Sequence, residues 1–179
     1  MELMKVASER RSIRAFKADA KITADEIKEM VACAQLAPTW KNSQTGRYYA
    51  VIDKAKIAEI HEKALPAFNV NSCKDASALI ITTFEMKRAG FDREGNPDNE
   101  LGDQWGAYDL GLQNENLLLK AREMGYDTLV MGIRDGEALR SILEIPESQQ
   151  VVAVIAVGVR AVDPEMPKRK ELDSILKVF

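Results

Sequence analysis

Apolar residues recur along this chain with two periods, and the switches between them mark out its elements. Residues 1–9 read as a short helix. Thr23-Ala24-Asp25-Glu26 forms a capping box, in which the Thr23 hydroxyl and the Glu26 carboxylate satisfy early helix N–H groups. The helix it starts carries Ile27, Met30, Val31, Ala34 and Gln35 on a 3.6-residue repeat, and Pro38 ends it because proline lacks a donor. A polar loop over 39–46 leads into an apolar strand at 48–52. Lys54–Ala64 reads as a helix stopped near Pro66, and 78–84 as a buried strand.

Residues 87–104 turn polar and carry Gly90, Gly95, Pro97 and Gly102. A loop of that length is longer than a plain connection needs, and it is expected to be either a mobile cover over a binding site or a solvated excursion. The longest helical pattern follows at 105–124, with Gly125 placed as its C-terminal cap. Trp105, Tyr108, Leu112, Glu115 and Leu119 fall along one side, and Leu110, Leu117, Leu118 and Ala121 widen the apolar surface. A helix apolar around much of its girth is central or lies at a subunit interface. Asp127–Met131 is a short strand and Gly136–Leu143 a helix closed by Ile145-Pro146. The unbroken apolar run at 151–157 is a central strand. A polar, proline-containing tail covers 163–179. No repeat or linker interrupts the chain, so 1–179 is expected to be one domain. Its mixed element order predicts an α+β fold with a largely antiparallel central sheet flanked by helices.

Composition narrows the function classes. Of 179 residues, 46% are hydrophobic and 30% charged, and the net charge of −3 argues against nucleic acid as a partner. No run approaches the length of a membrane span, and the N-terminus lacks a signal-peptide core, so a cytoplasmic protein is expected. Cys33 and Cys73 are expected to be free thiols. With His61 as the one histidine, they are too few for a zinc site. Neither cysteine lies in a nucleophile motif, a Ser-His-Asp triad is excluded unless His61 is its base, and His61 reads as a surface residue.

The densest candidate chemistry is Arg10-Arg11-Ser12-Ile13-Arg14-Ala15-Phe16. Three guanidinium forks and a hydroxyl within five residues suit a phosphate monoester. No G-x-G-x-x-G or G-x-x-x-x-G-K-[ST] loop is present, so any nucleotide phosphate must rely on side chains. With Ala37-Pro38-Thr39-Trp40-Lys41-Asn42-Ser43-Gln44, then Gly106-Ala107-Tyr108-Asp109-Leu110-Gly111, then Ile145-Pro146-Glu147 and Pro167-Lys168-Arg169-Lys170, this segment resembles the nitroreductase family of FMN-dependent flavoproteins.

That resemblance implies an NAD(P)H oxidoreductase that reduces nitroaromatics, quinones or flavins. It implies FMN as cofactor, NADH or NADPH as reductant, and a homodimer with exchanged C-terminal tails. Arg10, Arg11, Ser12, Lys168 and Arg169 are implied around the phosphate, and Arg14 and Lys74 beside the flavin edge that gains charge. Pro38, Thr39, Trp40, Asn42 and Gln44 would lie over the flavin, Asn71 would reach its pyrimidine side, and backbone N–H groups of Met131-Gly132 would face its N5 and O4. Trp40 either stacks over the pocket or covers the core, and Lys41 either meets an anionic substrate or holds the loop in water. The sequence departs from the family at Thr45-Gly46, where many relatives carry Pro-Trp, and at Met131. An FMN-binding storage or sensing protein, or a reductive dehalogenase of the same fold, are the alternatives.

Overall fold

The structure is a computed structural model, and it describes residues 2–179. A four-stranded, fully antiparallel sheet runs in the order β1 (Gly46–Val51), β2 (Ala78–Glu85), β4 (Gln149–Gly158), β3 (Asp127–Met131). Strand side chains alternate between faces, so each central strand feeds two cores. On one face Ala78, Ile80, Ile155 and Val157 pack with Ile27 and Met30 of helix α2 (Ala24–Ala34) and with Leu117 and Ala121 of α5 (Gln104–Glu123). On the other, Leu79, Ile81, Val154 and Ala156 pack with α3 (Lys54–Ala64), α4 (Ala67–Cys73) and α6 (Gly136–Leu143). Each fully buried aliphatic chain contributes about 1.5–3 kcal/mol. A short helix α1 (Leu3–Glu9) precedes the arginine segment; Met1, included in that sequence expectation, lies outside the described residues.

The α+β class and the flanked antiparallel sheet are as expected. The Thr23 capping box forms, with Glu26 N–H donating to Thr23 Oγ1 at 3.2 Å and Thr23 N–H to Glu26 Oε2 at 2.8 Å. Gly125 closes α5 at φ +89°, while the Tyr126 N–H returns to the Ala121 carbonyl at 2.9 Å. One expectation needs correction, and two features go beyond what the sequence indicated. Helix α2 ends at Ala34, before Pro38 can act on it. Residues 67–73 form a helix that no apolar repeat announced, because Pro66 fixes its start and it is only seven residues long. In α5 the inward face is Gly106, Asp109, Leu110, Gln113, Leu117, Leu118 and Ala121, leaving Tyr108 and Leu112 exposed.

Candidate functional site

Segment 10–16 behaves as an added edge strand. Ser12 bridges Thr128 in parallel, the Ile13 N–H donates to the Thr128 carbonyl at 3.0 Å, and Phe16 bridges Arg160. Extended backbone alternates its side chains, so buried Ile13 leaves Ser12 and Arg14 exposed on its other side. An ion-pair cluster fixes the base of the segment. Asp127, buried at the start of β3, accepts from Arg160 Nε at 2.8 Å and Nη2 at 2.7 Å, with Arg122 Nη1 at 3.4 Å. Arg160 also donates to the Glu9 carbonyl at 3.1 Å and pairs with Asp163. Arg10 has only a loose partner, Glu115 at 3.7 Å, and Arg14 only the Ser12 carbonyl at 3.4 Å. Arg11 turns aside, its Nη1 donating to the Ser8 and Arg10 carbonyls at 2.6 and 2.7 Å at the end of α1.

The neighbouring strand β3 ends on buried Met131, exposed Gly132 and exposed Ile133. A side chain built at Gly132 would meet nothing within 4 Å, so the backbone there faces open space. Asn71 and Lys74 are exposed around the end of α4. The buried residue is Asn69, whose Nδ2 donates to the Ile133 carbonyl at 2.8 Å and so anchors the turn after β3. Asn69 was missed because 67–73 was not read as a helix. In a helix, Asn69 and buried Cys73 share a face at i, i+4.

The 39–44 turn is a separate construction. The Trp40 N–H donates to Asp109 Oδ2 of α5 at 2.8 Å, and burial raises the Asp109 carboxyl above its ordinary value against that bond. Lys41, Asn42 and Gln44 all take left-handed φ, at 44°, 56° and 49°. Such conformations persist where surroundings fix them. Here the Gln44 N–H donates to Thr39 Oγ1 at 3.2 Å and Gln44 Nε2 to Asn42 Oδ1 at 3.2 Å, while Pro38 stays exposed at the entrance. Trp40 lies 4.6 Å from Trp105 between ring centroids, and Lys41 pairs with Asp98 at 2.7 Å. The 87–104 segment is therefore tied to the turn, and Asn99 further accepts from Trp105 Nε1 at 2.9 Å. At the Thr45-Gly46 departure, a Cβ at Gly46 would stand 2.0 Å from Gln113 Oε1 of α5, so a side chain there requires the Gln113 amide to move.

Within one chain these groups stay apart. Segment 10–14 lies along β3 and turn 39–44 leads into β1, the opposite edge of the sheet. No hydrogen bond or ion pair among the described residues joins them. Lys168 and Arg169 lie on the exposed tail, pairing only with Glu171 at 3.9 Å and the Pro167 carbonyl at 2.9 Å. His61 is not a surface residue. It is half-buried, with Nε2 3.5 Å from the Cys73 thiol. Burial lowers the His61 pKa and pushes the Cys73 thiol up to about 11, so the pair is neutral and lacks a thiolate nucleophile.

Residues 7–159 match the model of the Nitroreductase family. The chain belongs to this family. Among its nitroreductase relatives, a protein of Archaeoglobus fulgidus provisionally named NADH dehydrogenase/NAD(P)H nitroreductase is 30% identical over 162 residues, 88% of this chain and 84% of its own. An enone reductase of conjugated linoleic acid (CLA) biosynthesis from Lactiplantibacillus plantarum is 27% identical over 91% of this chain and 88% of its own. A crystal structure of a provisionally named nitroreductase from Exiguobacterium sibiricum in complex with FMN superposes with a TM-score of 0.83. It is 22% identical and covers 100% of this chain and 98% of its own.

Proposed function

We propose that this nitroreductase-family chain is an FMN-dependent oxidoreductase that takes reducing equivalents from NADH or NADPH and passes them to a nitroaromatic, quinone or flavin acceptor. The observation that carries this reading is the exposed presentation of Ser12 and Arg14, with loosely paired Arg10, on a segment that runs along β3, the strand leading to the open backbone at Gly132. The donor set fits FMN: two guanidinium groups without strong partners and an exposed hydroxyl suit a phosphate monoester. Names carried by the relatives and the FMN complex of the fold neighbour support the same cofactor and reductant.

FMN, when bound, supplies the two-electron chemistry between nicotinamide and acceptor. Arg10 and Ser12 would hold its phosphate, and Arg14 would place positive charge beside the ring. The Gly132 turn, braced by Asn69, would offer backbone N–H groups. Trp40, Asn42 and Gln44 would close the site from a second subunit, and Arg169 would reach it along the exchanged tail. A homodimer brings together the groups that one chain keeps apart. The exposed Tyr108 and Leu112 of α5 and the exposed tail residues Ile175, Leu176, Val178 and Phe179 are apolar surface for that interface.

Replacing Arg10 with Ala removes a charge-assisted bond of about 1.5 kcal/mol or more, so FMN affinity should fall at least about tenfold. Fluorescence titration with FMN reads this directly. Unchanged affinity would reject the assignment. Under anaerobic conditions, oxidation of many equivalents of NADPH by the FMN-loaded protein with a quinone, and of no more than about one per FMN without it, separates turnover from storage or sensing.

A further inference from the structure

We propose that the groove between residues 40–43 and the first half of the 87–104 segment recognises an oxyanion, the phosphate or carboxylate end of a ligand carried to the proposed flavin site. The inference rests on the function proposed above for its physiological meaning, but not for its geometry. The groove encloses roughly 900 Å³ and continues past Ser43 and Arg88 toward Thr45 and Arg47.

Charge is the first observation. Lys87, Arg88 and Arg93 line the groove, and their side chains have no hydrogen-bond or ion-pair partner among the described residues. Nearby carboxylates are already engaged. Asp98 pairs with Lys41 at 2.7 Å, and Glu85 accepts from Ser148 and Gln149 at 3.1 Å while facing Arg47 at 3.7 Å. Asp92 accepts the N–H groups of Glu94 and Asn96 at 3.0 and 2.8 Å, and Asp103 accepts that of Lys87 at 2.5 Å. A chain of net charge −3 thus concentrates three unpaired cations in one groove.

The second observation is independent. Trp40 Nε1, Ser43 Oγ and Thr45 Oγ1 are buried without a hydrogen-bond partner. An orphaned donor costs about 1–3 kcal/mol, and three cluster on the floor of this groove. An oxyanion can accept from indole, hydroxyl and guanidinium donors alike, and the three unpaired cations favour it over a neutral acceptor. Phe91 and Trp40 give the groove aromatic walls, so the ligand class is an aromatic or heteroaromatic acid.

Two sources share this chemistry, the phosphate of the reductant and a carboxylate on the acceptor. The test uses the only two tryptophans, Trp40 and Trp105, as a fluorescence reporter on the FMN-loaded protein. One arm compares adenosine 2′,5′-bisphosphate with adenosine 5′-monophosphate, and the other benzoate with benzyl alcohol. The more anionic member of at least one pair should bind more tightly. The double variant Arg88→Gln/Arg93→Gln should weaken that member about fivefold, as expected for partly exposed charge pairs, and Arg88→Lys/Arg93→Lys should restore most of it. A response in the first arm assigns the site to the reductant, and in the second to the acceptor. No preference for the anionic member in either arm, or equal affinity in parent and Gln variant, overturns the proposal. Neither readout needs turnover, so a failure of the oxidoreductase reading would show separately, as absent NADPH oxidation.

Discussion

His61 and Asn69 are single polar residues in the α3–α4 layer whose contacts are internal to the fold. Asn69 holds the Gly132 turn through the Ile133 carbonyl, and His61 packs its ring on the Cys73 thiol four residues further along the same helix. Burial lowers the His61 pKa from 6.5. The unfolded chain therefore binds the proton more readily than the folded one. Between the lowered value and 6.5 the folded state loses stability as pH falls; above 6.5 the term vanishes. Thermal unfolding from neutral pH down to about pH 5 should show a steeper stability loss in the parent than in His61→Gln. Parallel curves would mean that the ring titrates normally. At this scale the sequence showed the arginines but not their partners. Arg10, Ser12 and Arg14 stood out as candidates only together with the 37–44 segment, because a basic run alone is more often solvated surface. Asn69 did not, because a lone asparagine carries no signal until its helix is known.

Elements were legible where their pattern was long. Asp127–Met131 and Gly136–Leu143 lie where the sequence placed them, and the runs at 78–84 and 151–157 grew only by a residue or two at their ends. Helix α4 was invisible because seven residues give two turns, too few to establish a period. The sequence left the inward face of α5 open, and the structure puts Gly106 on it, close against β2. A Cβ there would lie 2.3 Å from the Phe84 ring on β2. Gly106→Ala should therefore destabilise the protein by about 1–3 kcal/mol despite alanine's higher helix propensity. Chemical denaturation would measure it. A stabilised variant would show that the Phe84 ring yields freely.

At the scale of the whole molecule, one face of α5 and the entire tail remain uncovered. Phe179, Val178 and Ile175 are fully or largely exposed at the end of a segment that touches little of its own domain. A homodimer with exchanged tails should bury them with Tyr108 and Leu112 in an interface of the obligate class, about 2,000 Å² or more in all. Light scattering of the purified protein should give twice the 19.9 kDa chain mass at low micromolar concentration. A monomer that keeps FMN would reject the shared site and the role given to Arg169. The sequence hinted at a partner through the apolar girth of the 105–124 helix, but the exchanged tail came only from family likeness, because a period of apolar residues does not say whether they face their own chain or another.

Because the 10–14 segment and the 39–44 turn stand at opposite edges of one sheet, damage to either leaves the other whole. A gene copy broken at Arg10 and another broken at Asn42 encode chains that each retain what the other has lost. Paired in a shared-site dimer, they rebuild one complete site from two defective parents. If the protein is such a dimer, two alleles that are each inactive alone should restore activity when expressed together.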